Sequence, residues 1–455
     1  MKGKSVYIET FGCQMNVADT ERAVTLLRAA GYELTKQDDT ADVVIFNTCS
    51  VRARAEQKVF NRIGEVRHKR CGKEPLIAVT GCVAQLKGEA LFAQTPAISV
   101  VAGTRATDRL PDLIERALNG EQKLLDIDER RKGEVWDVSP VERHSPYVAF
   151  VPIIEGCNKF CSYCIVPFSR GREQSRPPQE VITEVRRLRE EGFREVHLIG
   201  QNVNSYRPPP ETELEGFAGA TPFSRLLRAV AATGMERVKF TTSFPRDFHP
   251  DIVRAIDEFD NLCNWVHLPV QSGCDRILRA MRRGYKVADY LACVESIKSA
   301  RRMIALTSDI IVGYPGETSD EFAETILLVQ QCQYDGLYIF KYSERSGTPA
   351  ANFPNDVSDI EKTKRFMALE SVQRNIQRKV YNGYVGRKLS VLVEKGSTRH
   401  AGQLTGHSKC NKVINFTGSL DFVGETVEVC ILEAKENSLY GKIIDSRVDP
   451  SSSHR

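Results

Sequence analysis

Short apolar runs alternate with longer stretches of helical periodicity from the start of the chain. Ser5-Val6-Tyr7-Ile8-Glu9-Thr10, Val43-Val44-Ile45-Phe46-Asn47-Thr48 and Leu76-Ile77-Ala78-Val79-Thr80 are the first three such runs. Strands that are apolar on both faces and separated by helices predict a parallel sheet covered by helices, here over residues 1–125. The alternation resumes at Val148-Ala149-Phe150-Val151-Pro152-Ile153-Ile154 and continues through runs beginning at Val196, Val238, Trp265, Thr307 and Leu337. Six strand–helix units predict an incomplete parallel (β/α)6 barrel over 143–383, ending in a charged helix from about 358. Beyond it the pattern shortens to period two at 388–394, 412–416, 426–431 and 438–444, with Gly-rich turns. That pattern predicts a small antiparallel β-barrel of the OB type over 384–447.

The fold class is therefore α/β multidomain, as a chain of 455 residues also requires, being too long for one ordinary core. Lys and Arg number 63 against 59 Asp and Glu, a net charge of +4, so a nucleic-acid partner has to be held by local patches. One such patch is Arg52, Arg54, Lys58, Arg62, Arg67, His68, Lys69, Arg70 and Lys73, although a solvated helix face would look the same. No apolar run is long enough to cross a bilayer, and Met1-Lys2-Gly3-Lys4-Ser5-Val6 leads straight into a strand. A cytoplasmic protein without membrane contact is expected. Thirteen cysteines, an odd number, suit reduced metal ligands better than a disulfide framework.

Cys157, Cys161 and Cys164 stand in Gly156-Cys157-Asn158-Lys159-Phe160-Cys161-Ser162-Tyr163-Cys164, directly after a predicted strand. Three thiolates on one loop fit three irons of a 4Fe-4S cluster and leave the fourth iron open. Zinc is the rival reading, but a structural zinc asks for four closed ligands and the usual paired spacings supply no fourth. Cys13, Cys49 and Cys82 each follow one of the first three strands at the same end. Ligands of open parallel sheets gather outside the carboxyl ends of the strands, so this second trio converges on one site, and three buried packing thiols are the alternative. The remaining seven cysteines lack partner spacing.

The 157–164 loop resembles that of the radical S-adenosylmethionine enzymes. Thr10-Phe11-Gly12-Cys13-Gln14-Met15-Asn16, Asn47-Thr48-Cys49-Ser50-Val51-Arg52, Gly81-Cys82-Val83-Ala84-Gln85 and Arg170-Gly171-Arg172-Glu173-Gln174-Ser175-Arg176 extend the resemblance to the methylthiotransferase family over essentially the whole chain. Within that family the first two motifs resemble the branch that makes 2-methylthio-N6-isopentenyladenosine in tRNA. The resemblance implies two 4Fe-4S clusters, an auxiliary one on Cys13, Cys49 and Cys82 and one that cleaves S-adenosylmethionine on Cys157, Cys161 and Cys164. It implies a terminal TRAM module, an aromatic Tyr163 packing on the adenine of the cofactor, and a tRNA anticodon arm carrying N6-isopentenyladenosine as substrate.

Gln201, Ser243, Gln271 and Asp309 mark strand ends on the barrel rim, where cofactor-holding residues are expected. Arg62, Arg67, Lys69, Arg170, Arg172 and Arg176 are the RNA-contact candidates. An electron donor such as flavodoxin or ferredoxin and an iron-sulfur cluster repair protein complete the expected partners. Two other readings stay open: a methylthiotransferase acting on threonylcarbamoyladenosine in tRNA or on a ribosomal protein, and a non-catalytic iron-sulfur RNA-binding protein.

Overall fold

The structure is a computed structural model that describes residues 3–50, 53–69, 74–128, 142–217, 219–397, 400 and 402–444. Arg52, Arg70 and Lys73 of the basic stretch lie outside the described residues, as does the side chain of Arg54.

The amino-terminal segment is a six-stranded, wholly parallel sheet of β1 (Ser5–Phe11), β2 (Glu33–Leu34), β3 (Val43–Thr48), β4 (Leu76–Gly81), β5 (Ile98–Ala102) and β6 (Leu124–Asp126). Its spatial order is β2-β1-β3-β4-β5-β6. All residues of β3 and β4 are buried, because helices cover both faces. Since β1, β3 and β4 are adjacent and parallel, the loops behind them open at one edge of the sheet.

The central segment begins with β7 (Val148–Pro152), followed by a short antiparallel pair, β8 (Ile154–Glu155) and β9 (Gln174–Ser175), which brackets the 157–164 loop. Then come β10 (Glu195–Ile199), β11 (Arg237–Phe240), β12 (Trp265–His267), β13 (Ala305–Val312) and β14 (Gly336–Lys341). Parallel pairings give β7-β10-β11 and β12-β13-β14, and a parallel bridge between Val238 and Leu262 carries one sheet into the other. The result is an open six-stranded barrel. Ala149, Val151, Val196, Leu198, Val238, Phe240, Val266, Leu268, Ile310 and Val312 point outward into the helix layer and form the main core. By the two-residue period of strands, Phe150, His197, Lys239, His267, Asp309 and Tyr338 face inward.

The terminal barrel is closed by β15 (Lys388–Gly396), β16 (Gln403–Ser408), β17 (Val413–Thr417), β18 (Thr426–Ala434) and β19 (Leu439–Ile443). All pairings are antiparallel except β17 with β19, which run parallel. It sits on the amino ends of the central strands: Arg237 NH2 donates to the His407 carbonyl at 3.0 Å, Lys239 Nζ to Asn411 Oδ1 at 3.2 Å, and Trp265 and Ala305 join its core.

The helix behind Cys13 and Arg143 are among the elements that hold the sheet segment to the barrel. The helix Gln14–Ala29, which starts directly behind Cys13, lays Met15 and Ala18 against the inward-facing Phe150 and Ile199. Arg143, from the connecting segment, bridges Glu21 of that helix at 3.2 Å and Glu184 of the helix Pro178–Glu190 at 2.7 Å.

Candidate active site

At the carboxyl edge of the first sheet, the chain holds its cysteine loops together with amides. Asn16 Nδ2 donates to Asn47 Oδ1 at 3.1 Å and to the Thr48 carbonyl at 3.2 Å, while its Oδ1 accepts from the Cys13 amide at 3.3 Å. Asn47 Nδ2 returns a bond to the Asn16 carbonyl at 2.8 Å. These bonds tie the Cys13 turn to the end of β3, where Cys49 follows. Cys82 is placed by Gly81, whose φ of +90° and proximity to Thr48 leave no room for a side chain: a Cβ there would lie 2.5 Å from the Thr48 carbonyl oxygen. Cys49 and Cys82 are buried and Cys13 is exposed. A hydrogen bond with the Cys49 thiol lowers the Cys13 thiol to about 5, with help from the Arg170 charge.

The second trio lies on the loop between β8 and the helix Val166–Arg170. Gly156 opens it at φ +80°, with the Arg172 carbonyl oxygen 2.1 Å from where a Cβ would be, so the loop closes back on the 170–172 backbone. Two side chains donate to its sulfurs: Asn202 Nδ2 to Cys157 at 3.1 Å and Arg283 NH1 to Cys161 at 3.4 Å. Arg283 also donates to Tyr163 OH at 3.3 Å, Tyr285 OH at 2.9 Å and the Pro269 carbonyl at 2.7 Å, and stacks 4.4 Å from the Phe244 ring centroid. Burial, with the Cys161 charge, pushes Cys164 up to about 12, and burial raises Cys157. Arg283 was not picked out in the sequence; a second arginine in Arg282-Arg283-Gly284 carries no local sign of its partner 122 residues away.

One short segment joins the two trios. Gly171 accepts from the Cys157 amide at 3.1 Å, and Arg105 NH2 donates to the carbonyls of Arg170 at 2.9 Å and Arg172 at 3.1 Å. The Arg170 side chain, 2% exposed, turns the other way, to Asp19 at 2.6 Å and Glu155 at 3.4 Å. Against the burial that disfavours its charge, Asp19, Cys82 and Glu155 keep this guanidinium protonated. Each trio thus has one buried arginine beside it.

Of the expected rim residues, Gln201, Ser243 and Gln271 follow β10, β11 and β12, whereas Asp309 lies within β13 and takes His267 Nε2 at 3.4 Å. Gln201 Oε1 and Ser243 Oγ are buried without a hydrogen-bond partner. Gln271 (φ 79°), Thr242 (φ 62°) and Phe160 (φ 48°) adopt the left-handed region uncommon for such residues. Soft thiol donors in two trios, together with unmet polar atoms on the rim, fit iron-sulfur clusters and a polar cofactor. Among the described residues no three His, Cys, Asp or Glu side chains converge on a single metal-ion position.

The structure corrects the RNA-contact set. Arg170 and Arg176 are buried, Arg176 being held by Glu184 at 2.7 Å, so neither reaches a phosphate. Arg62 is paired with Glu9 at 2.9 Å, Glu65 at 3.1 Å and also Asp38, and Arg67 with Glu74 at 2.8 Å. Lys69 and Arg172 are exposed. Among the described residues no helix is long and apolar enough to cross a membrane.

Three family models match successive parts of the chain: Uncharacterized protein family UPF0004 over residues 5–103, Radical SAM superfamily over 151–329 and TRAM domain over 383–444. The chain is 42% identical over 447 residues to the tRNA-2-methylthio-N(6)-dimethylallyladenosine synthase of Koribacter versatilis (strain Ellin345), covering 97% of this chain and 98% of that protein. It is also 42% identical over 452 residues to the synthase of the same name from Geobacter sulfurreducens, with 98% and 99% covered. Among solved structures it resembles the radical S-adenosylmethionine methyltransferase TsrM from Kitasatospora setae, with a TM-score of 0.57, 14% identity, and 77% of this chain and 74% of that one covered. It also resembles the cobalamin-dependent S-adenosylmethionine radical enzyme OxsB, with a TM-score of 0.51, 10% identity and coverages of 83% and 56%. At these identities the structural likeness is one of fold alone. With two cysteine trios on an α/β sheet and an open barrel, and near full-length identity of this order, the chain belongs to the tRNA-2-methylthio-N(6)-dimethylallyladenosine synthase family of radical S-adenosylmethionine methylthiotransferases.

Proposed function

We propose that the chain places a methylthio group on C2 of N6-dimethylallyladenosine, also called N6-isopentenyladenosine, beside the anticodon of tRNA. The observation that carries this reading is the 170–172 segment, which joins the two cysteine trios: its backbone is bonded to Cys157 and its side chain lies beside the amino-terminal trio. The C2–H bond of an adenine is not acidic enough for a side-chain base. Bound at the two trios, 4Fe-4S clusters and S-adenosylmethionine supply hydrogen-atom abstraction and a transferable sulfur, chemistry that amino-acid side chains lack.

The chain's own residues hold and aim. Cys13, Cys49 and Cys82 would hold the auxiliary cluster, and Cys157, Cys161 and Cys164 would hold the other. Asn202 and Arg283 donate to sulfurs of the second trio, which lowers their electron density and orients them. Gln201 Oε1 and Ser243 Oγ accept and donate toward the polar groups of the cofactor, with Gln271 beside them on the rim, and Tyr163 offers its ring to the adenine. The target base has to leave the anticodon-loop stack to reach between the trios. Lys69 and Arg172 take phosphates of the anticodon arm, while the TRAM barrel, seated at the amino ends of the strands, reaches the stem and not the reacting base.

Each methylthio group placed would consume one sulfur, so a cluster repair protein and a flavodoxin- or ferredoxin-type electron donor would be the partners of this chemistry. tRNA as substrate puts the reaction in the cytoplasm. The test is mass spectrometry of nucleosides from tRNA incubated with the reconstituted enzyme, reductant and S-adenosylmethionine. The expected product is 2-methylthio-N6-dimethylallyladenosine; methylthiolation of threonylcarbamoyladenosine, or none, overturns the assignment.

A further inference from the structure

Among the described residues, the inner wall of the open barrel is covered in one half and exposed in the other. On the β7–β10 side, Phe150 and Ile199 lie beneath Met15 and Ala18 of the helix behind Cys13. Toward the amino ends of the strands, Lys239 lies 3.3 Å from Glu195 and 5.8 Å from the Trp265 ring centroid, and the terminal barrel seats against them. The remaining wall belongs to β13 and β14. Leu337 and Ile339 of β14 pack outward on the core, so Tyr338 and Phe340 face inward, where they are 55% and 42% exposed. Their register partners across the strand pair are Asp309 and Ile311. The Tyr338 ring meets His267 edge-on at 5.8 Å, and Ile311 packs on the same small cluster as Tyr163 of the cysteine loop. Two large apolar side chains therefore stay exposed inside the barrel, on a wall that runs up to the candidate active site.

The floor of that wall is polar and ordered. Thr307 Oγ1 accepts from Trp265 Nε1 at 3.1 Å and lies 3.0 Å from His267 Nδ1, while His267 Nε2 lies 3.4 Å from Asp309 Oδ1. Above this floor the wall offers apolar contact to a guest, next to a carboxylate. A neutral branched hydrocarbon of about five carbons suits it, because burying such a group removes its apolar surface from water. An anionic N6 substituent, such as threonylcarbamoyl, would bring its own carboxylate toward Asp309 and is disfavoured there.

We infer that Tyr338, Phe340 and Ile311 form the pocket that takes the dimethylallyl group of the substrate adenosine, and that this contact distinguishes prenylated from unmodified tRNA. The inference rests on the function proposed above and adds the residues that set its specificity.

The test uses the full reconstituted enzyme and two tRNAs that differ only in the prenyl group, and it reads the ratio of their dissociation constants. The parent is expected to prefer prenylated tRNA by roughly ten- to hundredfold, the range open to a small apolar group in an apolar pocket. In Tyr338→Ala with Phe340→Ala the ratio should fall toward one and KM for prenylated tRNA should rise. Tyr338→Leu with Phe340→Leu keeps the wall apolar and should recover most of the preference. Ile360→Ala removes an 84% exposed side chain on the helix Asp359–Asn382, outside the barrel interior, and should keep the parental ratio. Because Phe340 is well exposed, Phe340→Ser serves if the double variant does not fold, and it too should lower the ratio. An unchanged ratio and KM in the folded alanine or serine variant, with the parent making methylthio product, overturns the pocket alone. A parent that makes no product from prenylated tRNA overturns the function instead.

Discussion

Arg170 and Asp19 form a 2.6 Å ion pair across 151 positions of sequence, joining the helix behind the 157–164 cysteines to the helix behind Cys13. Glu155, two residues before Cys157, lies 3.4 Å from the same guanidinium. The pair registers one cysteine trio against the other. Removing one partner of a buried pair leaves the other charge without compensation, which typically costs about 3–5 kcal/mol. Arg170→Met should therefore lower the thermal midpoint markedly, and adding Asp19→Asn and Glu155→Gln should restore a large part of it. Failure of the triple variant to recover would mean that packing, and not charge, sets this joint.

The trios sit in differently built segments and should load independently. Replacing Cys157, Cys161 and Cys164 by alanine is expected to leave about half the iron of the reconstituted protein, and so is replacing Cys13, Cys49 and Cys82. A Cys49→Ala enzyme should still form 5'-deoxyadenosine from S-adenosylmethionine but give no methylthio nucleoside. Near-total iron loss from either folded triple variant, or normal product from Cys49→Ala, would refute separate roles.

How far the sequence reveals this architecture depends on how local each signal is. β1, β3 and β4 are legible because buried parallel strands need continuous apolar runs, and the cysteine behind each run points to their common edge. β16 escapes notice: Gln403, Thr405 and His407 face outward and its inward positions are Leu404, Gly406 and Ser408, so no β-branched run announces it. The parallel pairing of β17 with β19 is a closure property that no single segment encodes. Arginines show the limit most sharply. Arg170 and Arg176 read as a basic loop from their neighbours alone, yet Asp19 and Glu184 bury them, and Arg283 gives no sign in sequence of its contact with Cys161.

Glu321 supplies an acid-labile element on the barrel's outer side. It stands in the first turn of the helix Ser319–Cys332, accepts from the Thr318 amide at 2.8 Å and from Arg276 NH2 at 2.7 Å, and the Arg276 bond is the main reason its carboxyl falls to about 2. A depressed folded-state value means stability that is fully present above the ordinary carboxylate value of 4.5 and is lost as pH falls toward about 2. Allowing for the exposure of Arg276, Glu321→Gln should cost about 1–2 kcal/mol at pH 7. Denaturant titrations of parent and variant should differ by that amount at neutral pH and converge between pH 4.5 and 2. A gap that persists undiminished at pH 2.5 would mean that the amide fails for reasons other than charge.

The RNA footprint can be separated from structural arginines by salt dependence. Arg62 answers to Glu9, Asp38 and Glu65, so Arg62→Ala should lower stability by roughly 1–3 kcal/mol while leaving the salt slope of tRNA binding unchanged. Lys69 and Arg172 are exposed cations, and each phosphate contact contributes about 0.7–0.9 to the slope of log affinity against log salt. Reversing both, Lys69→Glu with Arg172→Glu, should weaken tRNA binding most at low salt and flatten the slope by about one and a half units, with thermal stability near that of the parent. Should slope and affinity match the parent protein, these two side chains lie off the RNA path, and the phosphates are met by other exposed cations.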